Sequence, residues 1–376
     1  MRVVHIVKVK GIAGAENHLL TLLPGLQSRD LDVHLIYLHN PNQPVDAFYA
    51  AASAAGIPTK RVAIHGSADP LLTSRLMGEL RQLQPDIVHT HLLHADLYGI
   101  PAAWSLKLRG KRPRVVSSKH NDDQFRLSKT QRVLNHQLWR MTDRGIAISE
   151  AVRRFSIEIE GAKPDKIETI YYGLKPPSGD SLARRKAARE KLGLSPETVV
   201  VGITCRLVEQ KGLTYGLEAF ARAAQDQPNA QLVIAGDGEL RAALEAQAKA
   251  LGIAPKTQFL GWREDAAALM AAYDIFLMPS LWEGFGLVLL EAMAQSVPVI
   301  ASRVSAIPEI VAEGETGLLA APRDVETLAA HLSLLLNDTP LRRHMGMVGQ
   351  ERLETRFSAS EMIRQTAAVY DRVMQK

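Results

Sequence analysis

Short apolar runs alternate with segments of helical pattern along the first half of the chain. The apolar runs predict strands at residues 3–7, 32–38, 60–64, 87–91, 115–118, 145–148 and 167–171. The segments between them, such as residues 14–27 and 71–83, predict helices. Alternation of this kind is typical of βαβ units, so the first half of the chain predicts a parallel sheet with helices on both faces.

A break in the pattern divides the chain. Residues 173–179 contain two prolines and two glycines, and the polar segment 181–191 follows. We interpret this stretch as a linker, because proline and glycine interrupt regular elements. Beyond it, a second alternating set predicts strands from residue 199 and at 232–235, 258–260, 275–278, 297–301 and 317–319, with a last helix at 358–374. The expected α/β domains are residues 1–175 and 190–357.

Composition sets limits on the kind of protein. With 376 residues, 46% of them hydrophobic, the chain can fill two cores. Cys205 is the only cysteine, which excludes disulfides and a thiolate zinc site, so it is interpreted as core packing at a strand end. No basic leader with an apolar run opens the sequence, and no apolar stretch reaches 18 residues. The expectation is a cytoplasmic protein without a membrane span.

Two carboxylates lie eight positions apart in residues 279–294. Glu283 begins a glycine-containing turn after the apolar run 275–278, and Glu291 falls about one turn into the helix that follows. Backbone N–H groups at such a helix start can hold a phosphate or a sugar hydroxyl without metal. The turn residues in question are Gly284, Phe285, Gly286 and Leu287. The alternative is that Glu283 caps the helix and Glu291 is solvated.

Two cations follow another predicted strand. Arg206 and Lys211 lie in the loop after the apolar run that starts at residue 198. Carboxyl ends of parallel strands face the ligand crevice in open α/β sheets. A guanidinium and an ammonium there suit a pyrophosphate that gains charge as its bond to a sugar breaks. Ordinary surface charge is the alternative.

These patterns resemble the retaining, nucleotide-sugar-dependent glycosyltransferases of family 4, whose mark is a Glu, seven residues and a second Glu. The resemblance implies the GT-B fold, in which two Rossmann-like doubly wound domains face each other across a cleft. It also implies that the last helix, 358–376, crosses back to the N-terminal domain. For the site it implies that Glu283 contacts donor-sugar hydroxyls, Glu291 binds the ribose, and Arg206 with Lys211 stabilises the leaving diphosphate.

The resemblance predicts the activity. It implies transfer of a sugar, with retention, from a nucleoside diphosphate sugar to an acceptor hydroxyl in glycan, glycolipid or polysaccharide biosynthesis of the cell envelope. A UDP-sugar is favoured over a GDP-sugar, and neither a cofactor nor a metal is expected. The alternatives are a non-catalytic sugar-nucleotide-binding partner protein, or an epimerase or phosphorylase on the same fold. A degenerate copy would be expected to lack some of the four charged residues, which are all present.

Glycine-containing loops follow the predicted strands 232–235 and 258–260. The residues in them are Gly236, Gly238, Gly261 and Trp262. Glycine allows close approach of backbone to a base or ribose. The resemblance places the base-contacting backbone at residues 260–263. Common turn chemistry is the alternative for each loop.

The loop after the first strand is assigned to the acceptor or to a phosphate. Gly14 and Glu16 match the family's N-terminal loop, which usually has two adjacent glycines, but Ala13 replaces the first. The added Cβ narrows the allowed backbone angles. The loop is not a G-x-G-x-x-G dinucleotide fingerprint.

Histidines concentrate in the first domain. His120 ends the predicted strand 115–118 and aligns with a family histidine beside the donor sugar, where an imidazole can bind a hydroxyl or stabilise positive charge. His89, His91 and His94 form the densest group. His89 and His91 share a strand face, so zinc is an alternative, but without a thiolate, hydrogen bonding in the core or the acceptor cleft is favoured.

Charge is unevenly distributed. Residues 1–175 hold 24 basic and 16 acidic residues, a net charge of +8, whereas the remainder is −3. Nine cations and two acids fall in residues 107–132, beside Trp104 and Phe125. This mixture suggests peripheral contact with an anionic membrane or binding of an anionic acceptor, with solvated charge as the alternative. No nucleic-acid-binding motif accompanies it, so nucleic acid is not an expected partner. The acceptor is expected to be a lipid-linked or a soluble sugar.

Overall fold

The computed structural model describes residues 1–9, 11, 14–42, 45–66, 68–106, 110, 112–121 and 128–375. The chain forms two compact units. The first comprises Met1–Gly173 together with Ala359–Lys376, and the second comprises Leu174–Ser358. Each unit is a parallel sheet covered by helices, as the alternating pattern predicts.

The described part of the first unit contains a seven-stranded parallel sheet in the order β3-β2-β1-β4-β5-β6-β7. Its strands are β1 (Arg2–Lys8), β2 (Asp32–His39), β3 (Thr59–Ala63), β4 (Ile87–His91), β5 (Arg114–Lys119), β6 (Arg144–Ala147) and β7 (Ile167–Thr169). Its helices are α1 (Gly14–Gln27), α2 (Asp46–Ala54), α3 (Leu72–Leu83), α4 (Leu92–Ser105), α5 (Lys129–Met141), α6 (Glu150–Glu158) and the terminal α15 (Ala359–Met374).

Alternation along β1 distributes side chains to two cores. Val3 and Val7 join one apolar cluster, whereas Val4 and Ile6 join a second, because successive residues of a strand point to opposite faces. The terminal helix α15 completes the first cluster with Tyr370. A sheet buried on both faces needs continuous apolar strands, which is the pattern that the sequence shows.

The second unit, all of it described, holds a six-stranded parallel sheet in the order β10-β9-β8-β11-β12-β13. Its strands are β8 (Val199–Thr204), β9 (Ala230–Ala235), β10 (Thr257–Gly261), β11 (Ile275–Met278), β12 (Val299–Ser302) and β13 (Gly317–Ala320). Its α-helices are α7 (Ser181–Lys191), α8 (Leu213–Ala223), α9 (Arg241–Ala250), α10 (Ala266–Leu269), α11 (Leu287–Ala294), α12 (Ile307–Ile310), α13 (Val325–Asn337) and α14 (Thr339–Arg356).

The second unit begins earlier than the sequence suggests. Residues 181–191, interpreted above as linker, form α7, which Asp180 caps through the backbone N–H groups of Leu182 and Ala183. Arg185 of this helix forms an ion pair with Asp274 at 2.7 Å, which fixes α7 to the start of β11. Polar composition indicated a linker because most of the helix surface is solvated.

Every helix in the described part of the chain is too short or too polar to span a lipid bilayer.

Candidate active site

The charged motifs of the second unit converge at the carboxyl ends of two neighbouring strands. β8 and β11 are adjacent in the sheet, and the loops that follow them carry Lys211 and Glu283. The Lys211 ammonium lies 2.5 Å from a carboxylate oxygen of Glu283, and each side chain is more than four-fifths buried. Two motifs separated by 72 positions therefore form one ion pair.

Backbone contacts hold these two loops together. Gly212 has a φ of +60°, and a Cβ there would lie 2.1 Å from the carbonyl oxygen of Pro279, so only glycine fits. The N–H of Leu281 donates to the carbonyl of Gln210 at 2.8 Å, and the Gln210 amide donates to the carbonyl of Trp282. The Lys211–Glu283 pair thus rests on a fixed frame.

Arg206 lies in the same loop as Lys211 but is exposed. It forms no ion pair with any residue in the described ranges. It follows Cys205, whose thiol pKa is raised to about 12 by burial. Cys205 is therefore a protonated, packed side chain, as predicted. Because Arg206 is exposed and forms no ion pair within the described residues, its guanidinium is available for an anionic ligand.

The turn after Glu283 leads directly into α11. Gly286 has a φ of +87° and precedes the first helical residue, Leu287. Phe285 is buried, and its ring meets that of Phe357 edge-on with centroids 6.3 Å apart. The side chain of Phe285 therefore anchors the turn, so any contact of this residue with a donor would have to involve its backbone.

Glu291 lines a cavity of about 500 Å³ in the second unit. The cavity walls come mainly from α7, α10 and α11 and are apolar for the most part, with Asp265 and Lys191 among the polar residues. Burial raises the pKa of the Glu291 carboxyl. Among described residues Glu291 has neither an ion pair nor a hydrogen bond to another side chain, so its acceptor oxygens remain available. This rules out the fully solvated alternative.

The glycines of the neighbouring loops serve loop packing. A Cβ on Gly236 would lie 1.8 Å from the carbonyl oxygen of Cys205, and one on Gly238 would lie 2.5 Å from that of Leu207. The N–H of Gly236 donates to the carbonyl of Gly261 at 2.8 Å. The close approach of the loops after β8, β9 and β10 thus explains why these positions are glycine. Contact of these loops with the base of a nucleotide stays a prediction. Trp262 is 74% exposed.

The predicted acceptor loop lies at the start of α1 in the first unit. Gly14 is the first helical residue and is exposed, with no atom within 4 Å of an added Cβ. Glu16 is buried and acts electrostatically on Tyr172. Lys10, Ile12 and Ala13 lie outside the described residues.

His120 is buried, and both of its ring nitrogens have protein partners. Nδ1 lies 2.5 Å from the Tyr172 hydroxyl, and Nε2 lies 3.1 Å from Nδ1 of His91. The ring therefore belongs to a hydrogen-bonded group in the first unit. Within the described residues, its predicted contact with a sugar hydroxyl would require an exchange of one of these partners.

The histidines of β1 and β4 meet in the core, as favoured above. His5 faces His89 across the two strands, and its Nδ1 lies 2.9 Å from Nε2 of His91. Burial lowers the pKa of His5 to about 3 and that of His89 and His91 well below the ordinary value, with neighbouring imidazoles adding to the effect. These rings are neutral at pH 7.

The same three imidazoles bring ligand atoms within 4.8 Å of one another, which is a spacing that could hold a metal ion. Their ring nitrogens are, however, shared with one another and with Ser118 and Tyr370.

The basic stretch at 107–132 is only partly a surface. Lys119 is buried and binds Asp96 at 2.6 Å, so its assignment to an exposed cationic surface is wrong. β5 extends one residue beyond the predicted end and points this side chain inward. Arg112 and Arg114 form ion pairs with Asp143, whereas Lys129 and Arg132 are exposed. Lys107, Arg109, Lys111 and Arg126 lie outside the described residues.

Two family models account for most of the chain. Residues 12–176 match the model described as Glycosyltransferase Family 4, and residues 184–352 match the model described as Glycosyl transferases group 1. The chain belongs to the group 1 glycosyltransferases of family 4. The predicted membership is thereby confirmed. Membership of this family makes the protein a transferase.

Individual relatives agree with this membership. An uncharacterized glycosyltransferase of Methanocaldococcus jannaschii is 28% identical over 235 residues, which are 61% of this chain and 60% of that protein. A lipopolysaccharide core biosynthesis glycosyltransferase of Rhizobium meliloti is 35% identical over 170 residues, 45% of this chain and 49% of the relative. The chain thus spans about half to three-fifths of the length of these relatives.

A solved structure confirms the fold. Anabaena HepE, in complex with UDP and glucose, superposes with a TM-score of 0.84 at 23% identity and covers 99% of both chains. With one parallel α/β sheet in each unit, the glycosyltransferase has the predicted GT-B fold.

Sequence reasoning missed Tyr172, Tyr370 and His5. His5 lies in a predicted strand and Tyr370 in the predicted last helix, whereas Tyr172 directly follows the predicted strand 167–171. Their meeting depends on strand register and on the packing of α15. The pairing of His5 with His89 has no local signal in the sequence.

Proposed function

We propose that this glycosyltransferase transfers a sugar from a nucleoside diphosphate sugar to an acceptor hydroxyl with retention of configuration. The observation that carries the proposal is the pairing of Lys211 with Glu283 beside the exposed Arg206. A diphosphate needs cations and a sugar needs hydrogen-bond acceptors. The loops after β8 and β11 provide both the cations and the hydrogen-bond acceptor, and backbone hydrogen bonds hold these two loops together.

The nucleoside is assigned to the cavity lined by Glu291. Its volume and mostly apolar walls suit a base and ribose, since ligand pockets combine apolar surface with a few directed polar groups. An ionised carboxylate can accept hydrogen bonds from both ribose hydroxyls. UDP is the favoured nucleotide, in keeping with the ligand of Anabaena HepE.

The chemical step needs no side-chain nucleophile. The bond between the anomeric carbon and the diphosphate oxygen breaks, and a bond from the acceptor oxygen forms on the same face. The acceptor's proton passes to the departing diphosphate, which leaves as the nucleoside diphosphate. Arg206 and Lys211 stabilise its growing negative charge, while Glu283 orients the sugar. No metal is assigned to this step.

The first unit is assigned to the acceptor, through Gly14 and Glu16. A cell-envelope saccharide is the proposed acceptor class, in keeping with the name of the Rhizobium meliloti relative. The exposed Lys129 and Arg132 supply cations for peripheral contact with an anionic membrane.

A donor screen tests the proposal. UDP- and GDP-linked glucose, galactose, mannose and their N-acetyl derivatives would be compared by thermal shift, and those that stabilise the protein would be assayed for nucleotide release. NMR of the sugar product would report the anomeric configuration. We expect stabilisation by a UDP-sugar and a retained configuration. An inverted product would contradict the same-face step, and stabilisation by none of the donors would contradict the site assignment.

A further inference from the structure

The peptide group that joins Trp282 to Glu283 is hydrogen-bonded by a side chain at each of its two ends. Its carbonyl oxygen accepts from the amide of Gln210 at 3.0 Å. Its N–H donates to the hydroxyl of Ser305 at 3.4 Å. Gln210 lies in the loop after β8 and Ser305 in the loop after β12, so two loops hold one peptide group. We call this arrangement the peptide clamp.

The strand order explains how both side chains reach the same peptide group. β11 lies between β8 and β12 in the sheet. The carbonyl and the N–H of a trans peptide point in opposite directions. Beyond Met278, where β11 ends, the carbonyl therefore meets the loop on the β8 side and the N–H meets the loop on the β12 side. Side chains continue here the cross-strand hydrogen bonding that the backbone provides within the sheet.

The backbone of Ser305 adds a second observation. Its φ is +46°, in the left-handed region that favours glycine. A glycine at this position would fit the backbone without strain but would lack the hydroxyl that accepts the Glu283 N–H. The serine therefore provides a hydrogen-bond acceptor although its backbone conformation is strained, a combination that is typical of functional sites.

The peptide clamp controls the direction of the Glu283 side chain. Rotation of this peptide group changes φ of Glu283 and with it the direction in which the carboxylate leaves the backbone. The carboxylate is also bound to the ammonium of Lys211 at 2.5 Å. A diphosphate that binds Lys211 takes that partner away, so the ion pair cannot hold Glu283 while a donor is present. The peptide clamp does not involve the ammonium and stays in place.

We propose that Gln210 and Ser305 are positioning residues that hold the Glu283 carboxylate toward the donor sugar through the peptide clamp. This inference rests on the proposed function, in which Glu283 orients the sugar. Neither side chain touches the donor in this account, because each acts through the backbone of Glu283. The loop after β12 thereby becomes a third part of the site, beside the loops after β8 and β11.

Amide hydrogen exchange at Glu283, measured by NMR on the full chain without ligand, tests the peptide clamp itself. Ser305→Gly removes the hydroxyl and suits the backbone conformation, whereas Gln210→Met keeps the length of the side chain but removes the donor. We expect the Glu283 amide to exchange about tenfold faster or more in Ser305→Gly, and several-fold faster in Gln210→Met, because local opening becomes easier. Exchange at the wild-type rate in either variant would overturn the proposal. If one variant fails to fold, the other decides.

Two variants in the same unit are matched controls. Ser296→Gly removes a hydroxyl from another serine of positive φ, +56°, whose partner is Gln350. Gln227→Met removes an amide that donates to Asn337 at 2.8 Å. Both should leave exchange at Glu283 and sugar transfer at wild-type values. A comparable acceleration of exchange in the controls would indicate general loosening of the second unit and would contradict a specific role of the clamp.

Sugar transfer tests the consequence for the reaction. Each clamp variant should lower kcat by about tenfold or more, because a small displacement of a group that orients the substrate is costly. UDP affinity, measured by calorimetry, should change by less than about twofold, because UDP carries no sugar for Glu283 to orient. In a Glu283→Ala background the same substitutions should cause no further loss, because their effect passes through that carboxylate. Equal losses of UDP affinity and kcat, or an undiminished loss in that background, would overturn the proposal.

The two measurements separate the peptide clamp from the proposed function. Hydrogen exchange needs no donor, so it reports on the clamp whether or not a sugar is transferred. Accelerated exchange in a protein that turns over no nucleotide sugar would leave the clamp intact and contradict the proposed function. Sugar transfer with unchanged exchange in the variants would support the proposed function and contradict the clamp.

Discussion

The ammonium of Lys211 lies 2.5 Å from the carboxylate of Glu283. In the proposed reaction these two groups act on different parts of the donor, so their mutual pair competes with ligand. A diphosphate that binds the Lys211 ammonium must draw it away from the Glu283 carboxylate. The carboxylate oxygens can then accept hydrogen bonds from the hydroxyls of the sugar.

This competition predicts a gain in nucleotide affinity when Glu283 is neutralised. Glu283→Gln keeps the shape of the side chain and releases Lys211, so UDP should bind up to about tenfold more tightly while sugar transfer falls. Titration calorimetry with UDP measures the first effect and a transfer assay the second. Weaker UDP binding by the variant would show that the pair does not oppose the ligand.

Glu291 should carry the ribose contact. Glu291→Gln is expected to weaken binding of uridine by about 1–3 kcal/mol, because charge-assisted hydrogen bonds from the ribose are lost. Gln295→Ala is the matched control, since Gln295 lines the same cavity without a carboxylate. Equal losses in the two variants would indicate a general effect on the cavity.

The raised pKa of Glu291 adds a pH signature. Only the ionised carboxylate accepts from both hydroxyls, so uridine affinity of the wild type should fall as pH decreases toward a pKa above the ordinary 4.5. Uridine has no phosphate that titrates in this range. Glu291→Gln should lack this pH dependence, and an identical dependence in the variant would assign it to another group.

The sequence predicted the convergence of Lys211 and Glu283 better than it predicted the meeting of the histidines in the core. Arg206, Lys211 and Glu283 are recognisable because each follows a strong apolar run, and parallel strands bring such ends to one edge of a sheet. Lys119 was misplaced because β5 continues one residue past the predicted end, which turns this side chain toward Asp96. The pattern of apolar and polar residues around Lys119 does not show where β5 ends or that this side chain points inward.

The buried histidines predict instability in mild acid. His5, with a folded pKa of about 3, stays neutral while the unfolded chain takes up a proton below pH 6.5. Stability should therefore be flat between pH 8 and 7 and fall below pH 6.5. Each such histidine costs about 2 kcal/mol at pH 5. Urea unfolding monitored across this range checks the sign, and equal or greater stability at pH 5 would show that the histidines are already charged in the fold.

Membrane contact should depend on the exposed cations of α5. Lys129→Ser with Arg132→Ser is expected to reduce co-sedimentation with anionic vesicles at low salt, since each cation near such a surface contributes about 1 kcal/mol. Lys186→Ser with Lys249→Ser, in the second unit, is the charge-matched control. Binding that is absent in the wild type, or equal in both pairs, would exclude this surface.

Arg206 and Lys211 are proposed to stabilise the departing diphosphate, and the rate of nucleotide release from the donor reports on this step. We expect Arg206→Ala and Lys211→Ala each to slow release from the best UDP-sugar by about 10²-fold or more, because each removes charge stabilisation that grows in the transition state. Arg222→Ala, an exposed arginine on α8, is the control and should release nucleotide at the wild-type rate. Near-normal release by either site variant, with the fold intact by circular dichroism, would show that the substituted cation does not stabilise the departing diphosphate.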